Sequence, residues 1–83
     1  MKIGNASGPE VIFDRIINGC LEYCFRKLDE QDQDTFDRYT RKFIKQYRMN
    51  YINTKDRTYL TKCRGKIYYV FHHYFYNEYA NYA

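Results

Sequence analysis

The chain of 83 residues has no tryptophan, a single proline and only three cysteines. It holds no apolar run near the ~18–20 residues that a helix needs to cross a bilayer, so no membrane span is expected. No charged-then-apolar leader opens it, so a cytoplasmic location is expected. Cys20, Cys24 and Cys63 form an odd set. Without a secretion signal they read as free thiols in a reducing compartment, not as a disulfide framework. Catalytic signatures are missing too. There is no glycine-rich phosphate loop, no G-x-S-x-G elbow and no H-E-x-x-H helix, and the carboxylates cluster in a polar stretch with nothing to orient them. The chain is therefore expected not to be an enzyme and to carry no cofactor.

What remains is a short, basic, aromatic chain. At 45% apolar residues it is globular in composition. A domain of this length buries only ~60% of its unfolded surface, and such domains often add a partner subunit. Eleven tyrosines and six phenylalanines stand against three alanines. Tyrosine joins an apolar ring to a polar tip and serves a core edge or an interface equally well. The dominance of Ile, Lys, Asn, Tyr and Phe, all with A/T-rich codons, suggests a small accessory protein of an A/T-rich virus or phage.

Residues 1–8 show no hydrophobic period and are read as a flexible tail. Residues 9–80 are read as a single helical domain. Pro9 suits the first turn of a helix, where its missing N–H would be unpaired anyway. From Pro9 to about Asp29, Phe13, Ile16, Ile17, Cys20, Leu21, Cys24 and Leu28 fall in one arc at about 100° per residue. Gly19 lies on the flank of that helix, where a close helix neighbour is the usual reason for glycine. The acidic stretch Asp29–Asp34 reads as a loop, with Asp34 as cap of the next helix. From Thr35 to about Asn53 a second arc collects Phe36, Tyr39, Phe43, Ile44, Tyr47 and Tyr51. Asp56 is a candidate cap for a third element. In residues 57–76 helical spacing gathers Leu60, Cys63, Ile67, Val70, Phe71, Tyr74 and Phe75 on one face. The β-branched and aromatic run Ile67–Tyr76 also suits strands. The expected fold is an all-α, compact three-helix bundle that self-associates, with an α+β fold in which residues 57–76 are strands as the alternative.

Charge is segregated. Residues 1–37 carry 4 positive and 8 negative side chains, whereas residues 38–83 carry 10 positive and 2 negative. Arg38, Arg41, Lys42, Lys45 and Arg48 share a stripe opposite the rings of the second helix. Such a ridge suits phosphates or an acidic partner surface, or it is a solvated face neutralised by nearby acids. On the third element Lys62, Tyr69, His73 and Tyr76 gather on an outward face and read as an interface, since tyrosine is a frequent anchor. A zinc site from the three cysteines and a histidine is the weaker alternative to plain core packing, so no metal is assigned.

These features point to a small non-catalytic interaction protein, of the viral inhibitor or regulator type. It would bind a host or cognate protein with an acidic surface through basic and tyrosine-rich helix faces. The alternative is a nucleic-acid or nucleotide binder.

Overall fold

In the computed structural model, which describes residues 8–76, the chain forms three helices: α1 (Pro9–Phe25), α2 (Glu30–Thr54) and α3 (Arg57–Val70). A π-helical turn (Phe71–Phe75) extends α3 without a break. No strand occurs among the described residues. The fold is the all-α three-helix bundle, and the run from Ile67 to Tyr76 is helical in spite of its strand-like composition. Tertiary packing overrides β-propensity here, because helical spacing puts Leu60, Cys63, Ile67, Val70 and Phe71 into one buried line.

Helix α1 starts with Pro9 in its first turn and buries Phe13, Ile17, Cys20 and Cys24, spaced four, three and four apart. It ends at Phe25, earlier than the apolar pattern suggests. Leu28 is still buried, but it reaches the core from a turn: the Lys27 N–H donates to the Cys24 carbonyl and the Leu28 N–H to the Phe25 carbonyl. The Gln33 side-chain amide then donates to the carbonyls of Phe25 and Leu28, at 2.8 and 2.9 Å. It thereby satisfies acceptors that every helix C-terminus leaves open.

The acidic stretch is not a loop. Asp29, and not Asp34, caps α2 by accepting the Asp32 N–H at 2.9 Å, and Glu30–Asp34 are helical. The reason is electrostatic: acids in the first turn face the positive end of the helix dipole. Helix α2 buries Phe36, Thr40 and Tyr51. Thr40 is a polar residue at the centre of the apolar arc, and it is tolerated because its hydroxyl donates back to the Phe36 carbonyl at 3.0 Å. Lys55 closes α2 in the left-handed conformation at φ 60°. Asp56 caps α3 as expected, accepting the Thr58 N–H at 2.9 Å.

The helices run up, down and up. Phe13 meets Tyr51 and Phe25 meets Phe36, which sets α1 antiparallel to α2. Tyr47 meets Tyr59 and Tyr39 meets Tyr74, which sets α2 antiparallel to α3. Phe36 is the aromatic hub. Its ring lies 5.3–6.0 Å from those of Phe25, Phe71 and Phe75, all near perpendicular. Such edge-to-face pairs add about 0.5–1.5 kcal/mol each beyond burial. Gly19 is exposed, and a Cβ built there meets nothing within 4 Å, so among the described residues no helix packs closely against it.

Residues 1–7, assigned to a tail, and 77–80, assigned to the end of the helical domain, lie outside the described residues.

Candidate functional site

The five cations of the α2 stripe have unequal surroundings. Arg38 pairs with Asp34 at 3.0 Å and Arg41 pairs with Asp37, each one helical turn earlier. Arg48 turns toward α1, where its Nε and an Nη form a fork on the Asp14 carboxylate at 2.8 and 3.0 Å. That hydrogen bond is the main cause of the raised pKa of the guanidinium. Lys42 and Lys45 have no carboxylate partner among the described residues. The stripe therefore exists as a helix face, but three of its members already hold an anion.

Helix α3 differs. From Arg57 to Tyr76 the sequence has four Lys or Arg residues and no carboxylate at all. None of Arg57, Lys62, Arg64 and Lys66 has an acidic partner among the described residues. Two of them lean over rings: Lys66 Nζ lies 4.9 Å from the Phe43 centroid and Lys62 Nζ 6.0 Å from that of Tyr59. These contacts place both ammonium groups along the seam between α2 and α3.

A row of exposed rings continues that seam. Tyr39 of α2 stacks on Tyr74 of the π-turn, with centroids 6.2 Å apart and planes 15° from parallel. Tyr74 meets Tyr69 edge-on at 6.5 Å, and Tyr69 stacks on His73 at 5.1 Å. Tyr39, Tyr69 and Tyr74 are 60%, 57% and 62% exposed, so this is a contiguous aromatic surface and not a fringe of the core. Single exposed aromatics need no explanation, whereas a joined patch marks a contact site. A shallow, open depression lined by Thr35, Arg38 and Tyr39 adjoins it.

The two predicted groups of site residues are thus partly merged and partly separated. Arg38 borders the Tyr39 end of the row, and Lys42 lies one helical turn from Tyr39 on the same edge. Lys62 and Tyr69 lie on α3, and His73 lies in the π-turn, stacked on Tyr69. Arg41 and Lys45 face away from α3, and Arg48 is engaged by α1. Tyr76 leaves the face. Its ring stacks on Phe71 at 5.2 Å, and Lys27 Nζ lies 5.7 Å from its centroid.

Tyr39 and Tyr74, read from the sequence as core residues, are outside. For Tyr74 the cause is the π-turn, where the Tyr76 N–H donates to the Phe71 carbonyl five residues back at 2.7 Å. One extra residue in the turn passes the inward position to Phe75, which packs on Phe36, and turns Tyr74 out. The same five-residue step sets Tyr76 over Phe71. Tyr39 is displaced because Thr40, its neighbour, takes the central core position.

The thiols supply no second centre. Cys20, Cys24 and Cys63 are all buried and free. Burial, with the neighbouring Cys20 thiol, pushes Cys24 and Cys63 up to about 12, which keeps them protonated and poorly nucleophilic. Among the described residues no group of three or more His, Cys, Asp or Glu side chains is placed to hold a metal ion. No described helix is long and apolar enough to cross a membrane.

No protein-family model matches the chain, and no curated protein or solved structure matches it either.

Proposed function

We propose that this chain is a non-catalytic binding protein that engages a macromolecular partner through the seam between α2 and α3. The observation that carries the reading is the joined row Tyr39–Tyr74–Tyr69–His73, more than half exposed at each tyrosine and bordered by cations. Rings held against one another lose little conformational freedom on contact, and tyrosine beside lysine or arginine is the composition of an interface anchor. A role as inhibitor or regulator by occupation of a partner's surface fits such a site, since binding alone suffices for it. Self-association is the competing use of the same rings.

The test is a comparison of immobilised wild-type chain with the variant Tyr39→Ala/Tyr74→Ala. Each is exposed to lysate with and without nuclease, and circular dichroism checks that both are folded. The reading predicts a partner retained by the wild type and lost by the variant. Equal retention by both contradicts it. Sedimentation in high salt separates the competing use: a dimer that dissociates on Tyr69→Ala would make a second copy the occupant.

The absence of any carboxylate from Arg57 to Tyr76 favours a second reading within the same class, in which the partner is a polyanion.

A further inference from the structure

We infer that the occupant of the α2/α3 seam is a single-stranded nucleic acid, with its bases on the tyrosine row and its phosphates on the bordering lysines; this rests on the seam being the binding surface. Three observations select this partner over an acidic protein. First, the surface is rich in cations. Its α3 side carries Lys62 and Lys66 with no acid from Arg57 to Tyr76, the cap Asp56 lying near Lys62, and its α2 edge adds Lys42, without a carboxylate partner among the described residues, beside Arg38, which is paired with Asp34. A polyanion complements such a surface, and each neutralised phosphate releases counterions.

Second, the relief is wrong for a protein anchor. Protein hot spots seat a side chain in a desolvated pocket. The depression that adjoins the row is open, and the described residues that line it are Thr35, Arg38 and Tyr39. What the seam offers is ring surface: Tyr39, Tyr74 and Tyr69 follow one another at 6.2 and 6.5 Å, each more than half exposed. Base–aromatic stacking uses such surfaces and tolerates any sequence, because every base has a π-face.

Third, a duplex would leave the rings unused. Paired bases are already stacked on each other and present only their edges in the grooves. A strand with free bases uses both halves of the site.

The experiment measures binding of fluorescent single-stranded dodecamers, oligo(dT) and oligo(U), by anisotropy on the full chain across a salt series. A duplex of equal length serves as control. Single strands are expected to bind more tightly than the duplex, with log K falling linearly in log salt. Tyr74→Ala and Tyr39→Ala should each weaken binding about fivefold or more, as loss of one stacked base implies. Tyr74→Phe should retain the affinity, because the ring remains. Lys62→Gln/Lys66→Gln should reduce the salt slope by about 1.4, at ~0.7 per phosphate contact. Circular dichroism confirms that each variant is helical, and Tyr74→Phe guards against a folding artefact.

Absence of binding at low salt overturns the inference, as does tighter binding of the duplex or identical affinity of wild type and Tyr74→Ala. If oligonucleotides fail while the double tyrosine variant still loses a partner from nuclease-treated lysate, the seam remains the binding surface and only the nucleic acid is rejected.

Discussion

Helices α2 and α3 are both rich in cations, yet they treat them differently. Helix α2 supplies its own counterions: Asp34 and Asp37 stand one turn before Arg38 and Arg41, and Asp14 of α1 holds Arg48. Helix α3 and its π-turn have none. The stripe that dominates the sequence by number is therefore not the strongest site by field. A charge count along one helix says where cations are. Whether they are available depends on residues one turn back and on the neighbouring helix. Exposed pairs at that spacing contribute only about 0.3–0.5 kcal/mol each to stability, but each sets a negative charge beside the cation that an approaching anion would meet.

The sharpest way to break the contrast is at the residue that joins the two regions. Phe36 is fully buried and touches both α1 and the π-turn. Phe36→Ala should cost about 3–5 kcal/mol, a large part of the total for a domain of this size. Urea unfolding would show the midpoint moved to much lower denaturant, with the slope m unchanged.

A smaller effect distinguishes the anions that α2 uses. The Asp14–Arg48 fork is 38–46% exposed at its side chains, whereas Arg38–Asp34 is 64–73% exposed. A double-mutant cycle should give about 0.5–1 kcal/mol of coupling for the fork and less than half of that for Arg38–Asp34, both falling with salt. On α3 the backbone itself can be tightened. A Cβ at Gly65 meets nothing within 4 Å, and the residue is exposed in mid-helix. Gly65→Ala should stabilise by about 0.5–1 kcal/mol, a rise of several degrees in Tm.

Charge can be moved across the comparison as well. Asp34→Asn would free Arg38 beside the tyrosine row. Oligonucleotide affinity at low salt should rise about twofold to fivefold, with a steeper salt slope. An unchanged slope would mean that Arg38 lies outside the site.

The smallest effect is a pH dependence at the start of α3. The Thr58 backbone N–H, and then its hydroxyl, hold the Asp56 carboxyl below its ordinary value of 3.8. A carboxylate lowered on folding stabilises the native state above the unfolded value and loses that contribution as pH falls through the folded one. Asn also caps a helix but does not titrate. The Tm difference between wild type and Asp56→Asn should therefore shrink steadily as pH is lowered below about 4.

The three helices were legible in the sequence because each buried line repeats at three and four residues, and Asp56 was legible as a cap from its residue type and place. Two kinds of feature were not. Local electrostatics moved the start of α2 five residues forward, from Asp34 to Asp29. Polarity marks a loop only when the acids have no helix dipole to complement, and here they do. The π-turn is invisible to any fixed angular step: α-helical spacing puts Tyr74 inside and Tyr76 outside, and one added residue reverses both. Thr40 hid for a related reason. A hydroxyl that can bond to its own helix counts as polar in a pattern but packs as a small core residue, and its presence there is what sets Tyr39 at the surface. Of the rings in the candidate site, Tyr69 and His73 were legible as outward from helical spacing, whereas Tyr39 and Tyr74 owe their orientation to a buried hydroxyl and an irregular turn.

The most direct measurement of the central claim is an amide NMR titration of the full chain with a short single strand of oligo(dT). Shifts should concentrate on Tyr39, Lys66, Tyr69, His73 and Tyr74, along the side of the bundle that α2 and α3 share. Shifts concentrated instead on Arg41, Lys45 and Arg48, with the tyrosines unmoved, would contradict the account.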